Sequence, residues 1–204
     1  MIAGRTVVFG ASVRPERMND RVLKLVEQRL KLKGHDVDIV DPKKLQLPML
    51  DIPYAYHQDP PRQAPEKIRD LVKRVTAAER LIVTTCEYNR AIPPALSNLI
   101  DYLSHASLAF KPTGIVSYSL GATGGIVAST QLRSLLAELG CVVVPCSVTI
   151  PSVGKQIEWP SCTADQSLLS NIDLVIEQVE YLSKAFQSYR TTTSVAPPKV
   201  QGYL

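Results

Sequence analysis

Residues 6–40 read TVVFGASVRPERMNDRVLKLVEQRLKLKGHDVDIV, and the architecture follows from this stretch. Thr6 to Phe9 is a short apolar, β-branched run, and Gly10-Ala11-Ser12 ends it. From about Asn19 to Lys33 the apolar residues Val22, Leu23, Val26 and Leu30 recur at helical spacing, and Gly34 stops the helix. Val37 to Val40 reads as a second strand, closed by Asp41-Pro42. Strand, helix, strand is the unit of a parallel sheet covered by helices on both faces.

The same alternation continues outward. Residues 42–65 hold six prolines, with Tyr54, Tyr56 and His57 among them, and read as a long irregular excursion of the functional or mobile kind. A helix from Pro65 to Ala78 leads to strand three, Arg80 to Thr85, and another helix opens at Pro93, where proline is well tolerated. Strand four is Gly114 to Tyr118, followed by a helix to about Leu139. Strand five is Cys141 to Val148, and a last helix spans about Asp165 to Gln187. The expected fold is a three-layer, doubly wound, five-stranded parallel α/β sheet of order 2-1-3-4-5. It occupies residues 1–187 as one domain. The Thr-, Ser- and Pro-rich tail, 188–204, is expected to be disordered or laid on a partner.

Composition narrows the function. The chain has 204 residues, 45% of them hydrophobic and 21% charged, enough for one sizeable core. The net charge of +4 comes from Lys and Arg scattered among acids, which argues against a nucleic-acid surface and suits small anionic molecules. The opening residues are too short an apolar stretch for a signal peptide, and no run approaches the length of a membrane span. Cys86, Cys141, Cys146 and Cys162 sit at no zinc-finger or thioredoxin-like spacing. A reducing, cytoplasmic location is expected, without membrane attachment. His35, His57 and His105 lie far apart with no ligand spacing, so no metal site is expected.

In an open sheet of this order, ligands bind beyond the carboxyl ends of the strands where strand order reverses, so the loops after strands one, three and four should converge. The first, residues 10–19, joins a strand to a helix N-terminus that favours phosphate, with Ser12, Arg14, Arg17 and Asn19 as donors. A plain turn with an Asn cap and solvent-facing arginines is the alternative. The loop lacks the P-loop lysine and the G-x-G-x-x-G spacing, so a monophosphate is the anion expected. The second loop, Cys86-Glu87-Tyr88-Asn89-Arg90-Ala91-Ile92-Pro93, offers a polar turn and an aromatic ring able to bracket a flat heterocycle, or equally a Tyr88 that caps the core. The third, Ser117-Tyr118-Ser119-Leu120-Gly121-Ala122-Thr123-Gly124-Gly125, is Gly-rich, which allows close ligand approach or simply a tight helix entry.

Cys86 to Pro93 resembles the P-E-Y-N-G-S-I-P segment of the NADPH-dependent FMN reductase family, the flavodoxin-like NAD(P)H:quinone, azo and chromate reductases. Ala95 to Tyr102 is similar to the A-L-K-N-A-I-D-W helix that follows it there. The first loop is similar to that family's G-S-x-R-x-x-S/R-x-N loop at Ser12, Arg14, Arg17 and Asn19. Gln131-Leu132-Arg133 and Ile150-Pro151-Ser152-Val153 add further likeness, over roughly residues 5–185. The resemblance implies non-covalent FMN, NADPH or NADH as co-substrate, and a quinone, free flavin, azo compound or metal oxyanion as acceptor. It implies a homodimer or homotetramer. It assigns the FMN phosphate to Ser12, Arg14, Arg17, Met18 and Asn19. The ring goes to Glu87, Tyr88, Asn89 and Arg90, joined by Ser117, Tyr118, Ser119 and Gly121. No catalytic acid, base or nucleophile is nominated, because the flavin carries the chemistry.

Three departures stand out: Cys86 replaces the usual proline, Arg90 the usual glycine and Ala91 the usual serine. If the glycine position needs positive φ, Arg90 costs about 1 kcal/mol or more. Two other readings therefore remain open. One is a flavodoxin-type electron carrier, opposed by the pI near 8.9. The other is a family member with weakened turnover that acts as a flavin-binding or protein-interaction module. Trp159 reads as a packing or subunit contact, or as an aromatic touching substrate, and Tyr54 and Tyr56 as a lid or interface pair.

Overall fold

The computed structural model describes residues 4–193, 195, 197 and 198. Five strands, β1 (Arg5–Phe9), β2 (Asp36–Val40), β3 (Arg80–Cys86), β4 (Pro112–Tyr118) and β5 (Val142–Ile150), form one sheet of order β2-β1-β3-β4-β5. Every pairing is parallel. β3 and β4 are buried along their whole length, as expected of central strands covered on both faces, whereas the edge strands β2 and β5 are only partly buried. The expected fold class and strand order are those observed.

The chain moves from β1 to β2 through α1 (Asn19–Leu32), then returns past β1 to β3 through α2 (Glu66–Ala77). Right-handed crossovers in opposite directions place these helices on opposite faces. α3 (Pro94–Asp101) and α4 (Ile126–Glu138) follow on the α2 side, and α5 (Gln166–Thr192) lies beside α1. Arg29 of α1 holds Asp173 of α5 through two hydrogen bonds, at 2.9 and 2.5 Å. The core is the sandwich between these layers, with Val7, Val8, Phe9, Leu81, Val83 and Ile115 fully buried.

Two expectations need correction. Residues 42–65 are not uniformly irregular: they contain short turns of helix at Pro42–Leu45, Tyr54–Tyr56 and Pro60–Gln63. The segment is pinned to α3, where Asn98 accepts from Leu50 N at 2.8 Å and donates to Pro48 O at 2.8 Å. The last helix runs to Thr192 rather than Gln187. Thr191, Thr192 and Thr193 hydroxyls bond back to the carbonyls of Ser188 and Tyr189, holding a turn that composition alone disfavours. Tail residues 194, 196 and 199–204 lie outside the described residues. Among those described, no helix is long and apolar enough to cross a membrane.

Candidate functional site

The register brings Phe9 beside Val83, and Cys86 beside Tyr118, so the loops leaving β1, β3 and β4 emerge at one end of the sheet. β1 lies between β2 and β3, which is where strand order reverses.

The first loop is shaped by Asn19, which is fully buried at the start of α1. Its Oδ1 accepts from Ala11 N at 3.0 Å, Ser12 N at 3.5 Å and the Tyr118 hydroxyl at 3.0 Å. A side chain at Gly10 would press on this amide, since a Cβ there falls 2.9 Å from Asn19 Nδ2. Arg17 is the second brace. Its guanidinium bonds Asp41 at 2.7 and 2.5 Å, Asp20 at 3.0 and 2.6 Å, and the Ser12 carbonyl. These bonds occupy all five of its N–H donors. The expectation that Arg17 meets an anion directly is therefore corrected: its donors are spent on the protein, because Asp41 at the end of β2 closes on it.

The second loop turns back sharply. Tyr88 and Ala91 exchange two backbone hydrogen bonds at 3.0 Å, and Asn89 and Arg90 between them have φ of 51° and 63°. This is a type I′ turn, which strongly prefers glycine at its second central residue. Arg90 therefore carries the cost of about 1–2 kcal/mol that the left-handed region imposes on a side chain. Glu87 is tied to α4: its Oε2 accepts from Val127 N at 3.0 Å and Ala128 N at 3.3 Å, capping the helix. Gln131 of α4 pins the turn, accepting from Ile92 N at 3.3 Å and donating to Arg90 O at 3.2 Å.

The third loop is tied down by Ser119, whose Oγ accepts from Gly124 N at 3.0 Å and donates to Gly121 O at 2.9 Å. Gly125, with φ of 78°, has no room for a Cβ, which would fall 2.9 Å from the Tyr118 carbonyl. Gly121 differs: nothing lies within 4 Å of a Cβ built there. Ser152 N bonds Gly121 O at 2.8 Å and Val153 N bonds Ser119 O at 3.0 Å, so the segment after β5 closes this side.

Between the loops lies a hollow of about 360 Å³, within the range of small-molecule sites. Ser12, Arg14, Arg17 and Met18 reach it from the first loop, Glu87 and Tyr88 from the second, and Tyr118, Ser119 and Gly121 from the third. Four expected residues do not. Asn19 lies beneath the floor, Ser117 is fully buried and donates to Val148 O at 3.3 Å, and Asn89 and Arg90 project from the tip of their turn to solvent. Cys86, Glu16, Leu120 and Val153 also line it and were not singled out as ligands. All four lie in segments that the sequence already marked: Glu16 in the first loop, Cys86 at the start of the second, Leu120 in the third and Val153 in the segment 150–153. A larger hollow, about 530 Å³, opens at the opposite end of the sheet around Ala78, Phe110 and Lys111, where no strand-end loops converge. Tyr54 and Tyr56 line neither.

The wall of the 360 Å³ hollow is neutral apart from its arginines and acids. Burial pushes the Cys86 thiol and the Tyr88 and Tyr118 hydroxyls above their ordinary values, so all three stay protonated near neutral pH. Tyr88 Oη and Ser12 Oγ are 2.6 Å apart, and the Arg14 guanidinium lies 3.8 Å over the Tyr88 ring. The first loop fits a phosphate. Asn19 Nδ2 is buried without a partner. Among the described residues, the N–H groups of Val13, Glu16, Arg17 and Met18 meet no protein acceptor. Unspent donors at a helix N-terminus are what an anion requires.

The NADPH-dependent FMN reductase family matches this chain over residues 5–155. The NADH:(hydroxy)cinnamate reductase subunit CrdA of Vibrio ruber is 35% identical over 101 residues, covering 48% of this chain and 50% of that protein. The 2-hydroxy-1,4-benzoquinone reductase of a Burkholderia species is 33% identical over 93 residues, covering 44% and 51%. The chain thus spans about half the length of the curated relatives it matches. In fold it is similar to FerB, a flavoenzyme NAD(P)H:(acceptor) oxidoreductase from Paracoccus denitrificans, with a TM-score of 0.72 at 21% identity over 88% of this chain and 98% of FerB. With the family match running from the first strand to the turn that closes the hollow, the chain belongs to the NADPH-dependent FMN reductase family.

Proposed function

We propose that this protein is an FMN-dependent NAD(P)H oxidoreductase acting on small acceptors: quinones, free flavins, azo compounds or metal oxyanions. The observation that carries the reading is the first loop's run of backbone N–H groups that meet no protein acceptor, at the point where strand order reverses. In this reading the N–H groups of Val13, Glu16, Arg17 and Met18, with the Ser12 hydroxyl, hold the phosphate, and Asn19 fixes the loop from beneath. Arg14 leaves the Tyr88 ring to neutralise it. Arg17 acts one step removed, by fixing the loop against Asp41. The backbone of Glu87 and Tyr88 and the rim formed by Tyr118, Ser119 and Gly121 orient the ring.

FMN, when bound, would supply the redox chemistry between nicotinamide nucleotide and acceptor. The chain's own contribution is orientation and exclusion of water, and it needs no ionised side chain at the ring. The protein is read as a cytoplasmic homodimer or homotetramer built on a single flavin-binding domain. The exposed apolar side chains of Leu120 and Trp159 support an assembled state. One observation favours a second reading, flavin binding without efficient turnover: Arg14 covers the ring face of Tyr88. Anaerobic NADPH added to the FMN-loaded protein separates the two. Bleaching of the flavin band, with quinone restoring it, is expected; a stable band that ignores NADPH and NADH contradicts turnover.

A further inference from the structure

Arg90 keeps a costly conformation for which the folded chain gives no packing reason. Its φ is 63° at a turn position that glycine fills without strain. Its side chain is 66% exposed, and its nearest acid, Glu87 Oε1, is 3.6 Å away, beyond a proper hydrogen bond. Glu87 has its own task, since its other oxygen caps α4. The tip that carries Arg90 is nonetheless held firmly, by the paired bonds of Tyr88 and Ala91 and by the Gln131 amide on Arg90 O and Ile92 N. A firmly held backbone thus presents the Arg90 guanidinium to solvent two residues from Tyr88 and near Glu87, both of which line the hollow. Guanidinium is a planar donor suited to phosphate and carboxylate.

We infer that Arg90 is a specificity residue at the rim, recognising an anionic group on an incoming substrate. That group is either the 2′-phosphate of a nicotinamide nucleotide or a carboxylate on the acceptor. The inference rests on the FMN reductase reading and deepens it.

The test compares the FMN-loaded wild type with R90G and R90K, measuring kcat/KM for NADPH and NADH with a neutral quinone, and for a carboxylated and a neutral quinone with NADH. Calorimetric binding of adenosine 2′,5′-bisphosphate against adenosine 5′-monophosphate gives a readout independent of turnover. If the anion is on the nucleotide, R90G lowers the NADPH/NADH ratio about tenfold and weakens the bisphosphate alone by a similar factor. If it is on the acceptor, the carboxylated/neutral ratio falls about tenfold instead. In either case R90K retains most of the discrimination, since it keeps the charge. Both ratios unchanged in R90G, or all four kcat/KM values falling together, overturns the inference while leaving the reductase reading intact. A wild type that takes up no FMN and oxidises neither nucleotide overturns the reading, and this inference with it.

Discussion

Arg17 and Asp41 form a buried ion pair, bonded at 2.7 and 2.5 Å, with 4% and 3% of their side chains exposed. The pair joins the first loop to the end of β2. Removing one partner leaves an uncompensated buried charge, which costs about 3–5 kcal/mol. D41N is therefore expected to lower the urea midpoint sharply and to weaken FMN binding, although Asp41 does not line the hollow.

The same pair sets an acid limit. Burial alone raises the pKa of Asp41, but the bonds from Arg17 and Lys43 N outweigh it and hold the carboxyl below its ordinary value of 3.8. A depressed folded pKa contributes stability that is complete above the unfolded value and lost as pH falls through the folded one. Urea midpoints in the wild type should thus drop more steeply below about pH 4 than those of D41N. Parallel acid limbs in the two proteins would refute this.

Asn19 allows the two roles of one amide to be separated. N19A removes the acceptor for Ala11 N, Ser12 N and the Tyr118 hydroxyl, at a cost of about 1–3 kcal/mol. N19D keeps an acceptor there but replaces the unpartnered donor with negative charge. Its FMN affinity is expected to fall by about tenfold or more, the equivalent of about 1.4 kcal/mol, with a thermal midpoint above that of N19A. Equal FMN affinity in N19D and wild type would mean that the charge beneath the loop does not reach the phosphate.

At the turn, R90G relieves the left-handed strain but gives back part of the gain by loosening the unfolded chain. A net stabilisation of up to about 1 kcal/mol follows, or about 2–4 °C in thermal midpoint for a domain of this size. A midpoint that falls would mean that Arg90 makes a stabilising contact after all.

Glu87 is expected to matter for stability more than for the flavin. Deleting its bonds to Val127 N and Ala128 N in E87A should cost about 0.5–2 kcal/mol, and E87Q less, since an acceptor oxygen remains. Chemical denaturation of the pair checks the order.

How much of this was legible beforehand follows from what kind of interaction each residue makes. The strands are apolar runs and α1 a periodic stripe, so order and layers could be read from local pattern. Asn19 was legible as a loop residue at a helix start. Arg17 was not, because its partner Asp41 lies 24 residues on and meets it only once β2 pairs with β1. Ser117 faces β5 rather than the hollow, a choice set by strand pairing. Glu87 was legible as a residue of the second loop, but not its bond to α4, which begins close enough to claim its carboxylate. The strain at Arg90 was conditional on backbone geometry, and the turn supplied it.

The central claim is that the loop from Ser12 to Asn19 grips a flavin by its phosphate. Titrating the protein with FMN and with riboflavin, which differ only in that group, tests it most directly. One FMN per chain, bound at least tenfold more tightly than riboflavin, is the predicted result. Equal affinity for the two, or uptake of neither, would contradict it.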